Sequence, residues 1–405
     1  MKIVVAVDSF KGSLESLETG RIISEAIKKV QPNADVNIFP LADGGEGTCK
    51  TLTVGLGGKI KTTEVTSPLG EKIQAEFGEI PKKNLAIIEI ASAAGLTLVP
   101  ENLKNPLNTT TYGVGELILD AIKDGCRDFL VGLGGSATND GGIGMLNALG
   151  FKFKKESGEF CGIFGKDLEL LHSVECDKII PQIRECKFRI ACDVKNPLTG
   201  EKGCSKIYAP QKGANENIVL KMDDWLKNFA KITAKTLNLE KFSVPGDGAA
   251  GGLGYAFRTY LNGELLPGVE LVLDALNISE ELANADFLIT GEGRLDGQTS
   301  QGKAPTGVAN FAKKINPKIS VIAIGGSVAE NFSDANIDAA FSILREPLTL
   351  QEAVKKENAE KKSAGNRRRN FQIDKKNRRL RWSEAIFICN PSMSENSSAT
   401  ERNAV

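Results

Sequence analysis

Histidine is almost missing from this sequence: there is one, His172, in 405 residues. Mechanisms that need a Ser/His pair or several imidazole metal ligands are thereby all but excluded. His172 itself reads as a surface or boundary residue. The eight cysteines are scattered, with no C-x-x-C pair, and read as free thiols in a reducing compartment. No apolar run reaches the roughly 18 residues that a membrane-spanning helix needs. No secretory signal is expected either, because Met1-Lys2-Ile3-Val4-Val5 already reads as a core strand. These absences imply a cytoplasmic location and no membrane partner. Positive charge is scarce where it would matter for nucleic acid. Residues 361–405 hold 11 Lys and Arg against 4 Asp and Glu, leaving 40 and 47 in the first 360. A mildly acidic body argues against nucleic acid as a partner.

Glycine, by contrast, is abundant at 42 residues, much of it in clusters beside Asp, Glu, Ser and Thr. That composition suits loops whose backbone approaches a ligand closely. Between the clusters, apolar runs alternate with helical patterns. Lys2–Val7 reads as a buried strand, 14–30 as a helix, Val36–Phe39 as a second strand, with a helix after the glycines at 44–47. This is the rhythm of a parallel sheet. Thr62–Val65, Lys72–Glu79 and Leu85–Ile90 then read as strands joined by short turns, an antiparallel segment. Further on come a helix over 112–124, a strand at Phe129–Leu133, a helix over 138–149 and a strand at Phe188–Cys192. Phe287–Thr290, a helix after Pro305, Ile319–Ile324 and Ala339–Leu344 read as parallel again. The expected fold class is α/β with two α/β domains. A Rossmann-like parallel-sheet domain is split in sequence over 1–58 and 270–360. An inserted α/β domain with antiparallel strands occupies 59–269. Residues 361–405 read as a basic, disordered tail.

Several glycine clusters sit directly after strands, where open α/β sheets bind ligands. Asp8-Ser9-Phe10-Lys11-Gly12-Ser13 follows the first strand and opens a helix, with Lys11 adding charge and Ser9 and Ser13 hydroxyls. Ala42-Asp43-Gly44-Gly45-Glu46-Gly47-Thr48 holds the same place after the second strand, and its two carboxylates could hold Mg²⁺ directly or through water. Gly132-Leu133-Gly134-Gly135-Ser136-Ala137-Thr138-Asn139-Asp140 formally fits a dinucleotide fingerprint at Gly132, Gly134 and Ala137. Asp140 near the helix start would repel a pyrophosphate, so phosphate cradling by Gly134, Gly135, Ser136, Thr138 and Asn139 is the better reading.

Asp193 ends an apolar strand, where a carboxylate aimed into a cleft could accept a hydroxyl proton. Lys212 lies in a further loop, Pro210-Gln211-Lys212-Gly213, and Gly246-Asp247-Gly248 in another. Thr290-Gly291-Glu292-Gly293-Arg294-Leu295-Asp296-Gly297 offers Glu292 to a metal and Arg294 to an anion. Gly297–Ala304 is not a Walker loop, because Ala304 stands where the metal-binding hydroxyl should be.

Taken in order, Asp-Ser-Phe-Lys-Gly-Ser at 8–13, Ala-Asp-Gly-Gly-Glu-Gly-Thr at 42–48 and Gly-Gly-Ser-Ala-Thr-Asn-Asp-Gly-Gly at 134–142 resemble glycerate kinase signatures. So do the stretches at 192–198, 210–214, 246–254 and 290–298, and the resemblance spans about 1–350. It implies transfer of the ATP γ-phosphoryl to D-glycerate with Mg²⁺, in a site between the two domains. The product would be 2-phosphoglycerate, although some family members form the 3-phosphate. The partners would be ATP and D-glycerate, and a homodimer is compatible with the sequence. On this reading Asp193, Lys11 and Asp8 are catalytic. Asp43, Glu46 and Glu292 are the metal candidates. Ser9, Ser13, Gly44, Gly45, Gly134, Gly135, Ser136, Thr138, Asn139, Asp140, Lys212 and Arg294 are the substrate and nucleotide contacts, with Arg294 or Lys212 on the glycerate carboxylate. The family ends in a helix soon after Leu350. Here Gln351–Ala359 starts one and a basic tail takes over, the mark that a reading-frame change near 361 would leave.

Overall fold

In β1 (Lys2–Val7) the odd residues Ile3, Val5 and Val7 and the even residues Val4 and Ala6 fall in different apolar clusters. A strand covered on both faces has no polar alternation, which is why it reads as a continuous apolar run. We describe the protein from a computed structural model. The described residues are 1–344 without 11–12, 43–44, 46, 241, 298 and 300–303, plus the backbone of 371–374 and 379–382.

After β1 come α1 (Ser16–Val30), β2 (Asp35–Pro40) and α2 (Thr48–Gly55). The chain then enters a second sheet with β3 (Lys59–Thr66), β4 (Lys72–Ile80) and β5 (Leu85–Glu89), followed by α3 (Ala91–Ala94), α4 (Tyr112–Lys123), β6 (Asp128–Gly132) and α5 (Ile143–Ala148). A small antiparallel pair, β7 (Lys152–Lys154) and β8 (Ser173–Glu175), stands aside. β9 (Lys187–Ala191), α6 (Cys204–Tyr208), α7 (Glu216–Leu237), α8 (Leu253–Tyr260) and β10 (Glu264–Leu266) finish this part. The return runs through α9 (Gly268–Ala275), α10 (Ile278–Ala283), β11 (Phe287–Leu295), α11 (Ala304–Ile315), β12 (Ser320–Val328) and β13 (Ala339–Ser342).

The first sheet has five strands in the order β13-β12-β11-β1-β2, every pair parallel. The second has six, β10-β9-β6-β5-β4-β3, with an antiparallel β3-β4-β5 meander and the rest parallel. These are two α/β domains, one with strands from both ends of the body and one with strands from residues between them.

What joins them is apolar. One cluster takes Val4 and Ala6 from the first sheet and Leu85, Ile87, Leu130 and Ala191 from the second, with Leu52 of α2 and residues of α9 and α11 between. The helix α2 packs on β2 and also on β4 and β5. Its approach to β4 is so close that a Cβ on Gly78 would lie 1.8 Å from the Thr53 hydroxyl oxygen. Each fully buried Leu, Ile or Val in this layer contributes roughly 1.5–3 kcal/mol. The layer therefore outweighs the few polar links across it, and orientation of the two sheets is set mainly by packing.

Some elements depart from the sequence reading. The helix expected over 138–149 begins at Ile143, because Gly135, Gly141 and Gly142 have φ of 72°, 63° and 80° and keep the preceding turn irregular. The helix expected from 14 begins at Ser16, since Phe10 and Leu14 pair and close a turn first. β11 runs on to Leu295 because β12 continues beside it to Val328. Of the tail expected to be disordered, the described residues form an antiparallel pair, β14 (Phe371–Asp374) with β15 (Arg379–Trp382), and the rest of 361–405 lies outside the described residues. The helix expected over Gln351–Ala359 lies outside the described residues. Among the described residues no helix is long and apolar enough to cross a membrane.

The 244–258 segment is closed by a charge pair. Asp247 is fully buried and accepts from Arg258 Nε at 2.7 Å, Arg258 Nη2 at 2.8 Å and the Val244 N–H at 2.6 Å. Removing one partner of such a pair strands the other in a low-dielectric interior. Arg258→Met should therefore cost about 3–5 kcal/mol, read as a lower urea midpoint at an unchanged m value.

Candidate active site at the facing sheet edges

The carboxyl ends of β1, β2 and β11 carry three of the sequence-predicted loops. Asp8 is buried, donates its N–H to the Gly291 carbonyl at 2.9 Å and accepts the Ser9 N–H at 2.6 Å. Val7 pairs with Gly291, so Asp8 and Glu292 are the next residues on neighbouring strands. The loop after β2 starts at Leu41, whose N–H reaches both the Val7 carbonyl at 3.3 Å and the Ser16 hydroxyl at 2.9 Å. The Ser16 hydroxyl donates back to the Val7 carbonyl at 2.7 Å. One serine at the start of α1 thus pins both strand ends. The sequence reading missed it, because a serine near a helix start looks like an ordinary cap.

Lys11, Asp43, Gly44 and Glu46, all predicted here, lie outside the described residues. Gly45 accepts the Thr48 N–H through its carbonyl, just before α2. Ser13 does not face the edge as a free hydroxyl: its Oγ donates to the Phe10 carbonyl at 2.8 Å and closes the turn. Glu292 accepts from the buried Thr299 hydroxyl at 2.6 Å. Arg294 is exposed, with Nε 3.4 Å from Asp296. Two buried hydroxyls beside this edge, Thr48 Oγ1 and Thr290 Oγ1, have no hydrogen-bond partner among the described residues.

The second edge is formed by the carboxyl ends of β5, β6 and β9, where Glu89 aligns with Gly132 and Gly132 with Ala191. Glu89 is a residue that the sequence reading passed over. Its Oε1 accepts the Cys49 N–H, the second residue of α2, at 2.5 Å, so an acid on one sheet edge holds the helix that starts at the other. Burial first, then this carboxylate, push the Cys49 thiol up to about 12. The signal was available, since Glu89 ends an apolar strand as Asp193 does. Asp193 is exposed and accepts the Gly268 N–H, the first residue of α9, at 2.9 Å. Because α9 packs on α11, Asp193 too is tied toward the first domain. The two edges are therefore tied to each other through α2 and α9.

The turn after β6 differs most from expectation. Gly134 and Gly135 are exposed, and their N–H groups donate to nothing among the described residues. Ser136 is largely buried, and Thr138, Asn139 and Asp140 are fully buried. Asp140, predicted to contact the substrate, accepts instead from the chain itself: the Thr111 N–H at 2.9 Å, the Thr111 hydroxyl at 2.7 Å, and the Gly142 and Gly144 N–H groups at 3.1 and 3.3 Å. Burial pushes its carboxyl above the usual range, against these hydrogen bonds. Asn139 donates to Ser205 at 2.9 Å, while its Oδ1 and the Thr138 hydroxyl find no partner among the described residues. Lys212, one of two candidates with Arg294 for the glycerate carboxylate, is only 2% exposed and donates to Ser136 Oγ at 2.8 Å and the Thr138 carbonyl at 2.6 Å. Polar spacing marked this loop, but it could not say which side chains turn inward.

With the geometry in place, comparison with known proteins is decisive. The profile of the glycerate kinase family matches residues 3–368. The chain belongs to the glycerate kinase family. It is 46% identical over 355 residues to a glycerate kinase of Halalkalibacterium halodurans, covering 87% of this chain and 93% of that protein. It is 43% identical over 358 residues to the glycerate 2-kinase of Escherichia coli K12, covering 88% and 93%. A crystal structure described as glycerate kinase 2 of Salmonella typhimurium LT2 superposes with a TM-score of 0.83 at 41% identity, over 91% of this chain and 96% of that one. The protein is thus a kinase. In a glycerate kinase built this way, Asp140 serves the fold of the turn. Asp140→Ala would leave the Thr111 and Gly142–Gly144 donors without their acceptor and should cost about 3 kcal/mol or more, measured by urea unfolding.

Proposed function

We propose that the protein transfers the γ-phosphoryl group of ATP to D-glycerate and forms 2-phosphoglycerate. The observation that carries this reading is the pair of linked edges, one rich in carboxylates and the other presenting the exposed Gly134–Gly135 turn. Phosphoryl transfer asks a protein for positioning, charge neutralisation and exclusion of water rather than covalent chemistry. Edges joined by α2 and α9 meet that demand without a histidine. The name of the Escherichia coli relative, glycerate 2-kinase, supports the 2-hydroxyl as acceptor.

In this reading the Gly134 and Gly135 amides take phosphate oxygens, since backbone N–H groups in a glycine turn suit an anion. Ser136 supports them, and Ser9 and Gly45 line the opposite edge. Lys11, which lies outside the described residues, neutralises charge on the moving phosphoryl. Asp193 accepts the proton of the attacking hydroxyl, held in place by the Gly268 N–H. The exposed guanidinium of Arg294 takes the glycerate carboxylate.

Magnesium fits the donor chemistry. Asp8 and Glu292 supply hard carboxylate oxygens at the ends of adjacent strands, and Asp43 and Glu46, outside the described residues, follow β2 in the sequence. Among the described residues no group of three or more His, Cys, Asp or Glu could hold a metal. Mg²⁺ characteristically takes one or two carboxylates together with phosphates and water. Held there, such an ion would supply positive charge to neutralise the phosphates.

The reading is tested by coupled detection of ADP with D-glycerate, and by NMR of the product to separate the 2- from the 3-phosphate. ADP at the level of a substrate-free control would reject it. Asp193→Asn should lower kcat by about 10²–10⁴ and leave the thermal midpoint close to wild type. Near-normal turnover would remove Asp193 from the chemistry.

A further inference from the structure

We propose that Lys212 is a positioning residue, which fixes the Gly134–Gly135 turn through Ser136 and the Thr138 carbonyl and does not touch substrate. The inference rests on the kinase reading for its kinetic consequences and on geometry for everything else. On one side the turn is already tied to backbone: the Leu96 N–H donates to the Gly135 carbonyl and the Ala137 N–H to the Ala94 carbonyl, both at 2.8 Å. On the other side the Lys212 ammonium supplies the polar ties, to Ser136 Oγ and the Thr138 carbonyl. The Thr138 hydroxyl and Asn139 Oδ1 beside it have no partner among the described residues. Loss of the lysine would therefore add two more unpaired polar groups to a segment that already carries two.

Lys212 is itself held firmly. It ends a short turn, Pro210–Lys212, followed by Gly213 at φ 94°, where a Cβ would lie 2.0 Å from the Lys104 carbonyl oxygen. A side chain so anchored transmits position, because neither end of the link can drift. The buried ammonium also places a positive charge behind two exposed amides, in an interior where charge is weakly screened. An anion bound at the turn would gain from both.

Burial of this charge has a cost, and the cost gives the test its sign. Desolvation lowers the Lys212 pKa from the ordinary 10.5 to about 8, against the Cys204 thiol group on α6 and the Asp140 carboxylate ahead of α5. An unfolded lysine keeps its proton up to 10.5, whereas the folded one releases it near 8. Between these values the unfolded state binds more protons, so folding stability contributed by this group rises with pH. The positioning role needs the ammonium, so activity falls over the same window. General loosening of the fold would move both quantities downward together.

The experiment compares wild type, Lys212→Met and Ser136→Ala as full chains. Amide exchange across 134–138 reads the turn directly, and kcat and KM for ATP and D-glycerate are followed on both sides of pH 8. In Lys212→Met, exchange at the buried residues 136–138 of this stretch should quicken while the β-strands stay protected, the Gly134 and Gly135 amides being open already. Its kcat/KM for ATP should fall about 10²-fold, the order expected for misplaced binding groups, with no further loss above pH 8. Ser136→Ala should show the same exchange change to a smaller degree and keep the wild-type pH profile. Unchanged exchange at 136–138 in Lys212→Met, or wild-type kcat/KM, would overturn the proposal. Wild type that released no ADP with D-glycerate would count against the kinase reading alone, and the exchange comparison would still decide the role of Lys212.

Discussion

The site depends on the apolar layer between the two sheets. Val4 and Ala6 on one side and Leu85, Ile87, Leu130 and Ala191 on the other are too far apart in sequence to meet by local preference. Their burial is non-directional and strong, and it holds the two sheets together, with strand ends of both linked through α2 and α9. The polar links, Glu89 to the start of α2 and Asp193 to the start of α9, act on an arrangement that packing has already made. Because each link ends on a helix N-terminus, it also satisfies a donor that no helical carbonyl can reach. The same contact thereby serves helix and domain interface.

Much of this architecture was legible in the sequence. β1, with apolar residues on both faces, could only be a buried strand, and the meander of β3, β4 and β5 announced itself through short turns between β-rich runs. Element ends were less legible, and the reason is physical. At 134–142 the residues are compatible with a helix start, but three glycines at positive φ spend those positions on a turn. At 8–13 a Phe10–Leu14 pairing intervenes before α1, a contact that no local propensity encodes.

The site was legible by location rather than by role. Strand ends with glycine and acid marked both edges, and Asp8 and Glu292 do stand side by side. Roles were harder to read where burial decides them. Thr138, Asn139, Asp140 and Lys212 have the polarity of ligand contacts and are all buried; Asp140 accepts from the chain's own donors, and Asn139 and Lys212 donate to the chain's own acceptors. Polar residues in a glycine-rich turn have two possible duties, to bind a ligand or to hold the turn. Only the direction of the side chain separates them. Glu89 shows the converse: one acid inside an apolar strand end looked like noise and became a link between domains.

The buried charges follow a common logic. Asp140 and Asp247 lie within glycine-rich segments and Lys212 packs against one, and each bonds to a main-chain group of the segment it supports. Glycine gives such segments the conformations a ligand requires, but it leaves them without side chains to pack and with much backbone entropy to lose. An apolar residue behind the turn would stabilise the fold more cheaply, since buried charges seldom add net stability. It could not, however, select one backbone conformation, because dispersion contacts have little direction, whereas a carboxylate or ammonium accepts only donors or acceptors at set positions. The chain thus secures the shape of its loops with groups that cost stability. The apolar layer between the sheets is large enough to offset that cost, so packing underwrites the precision of the site at the same time as it sets its position.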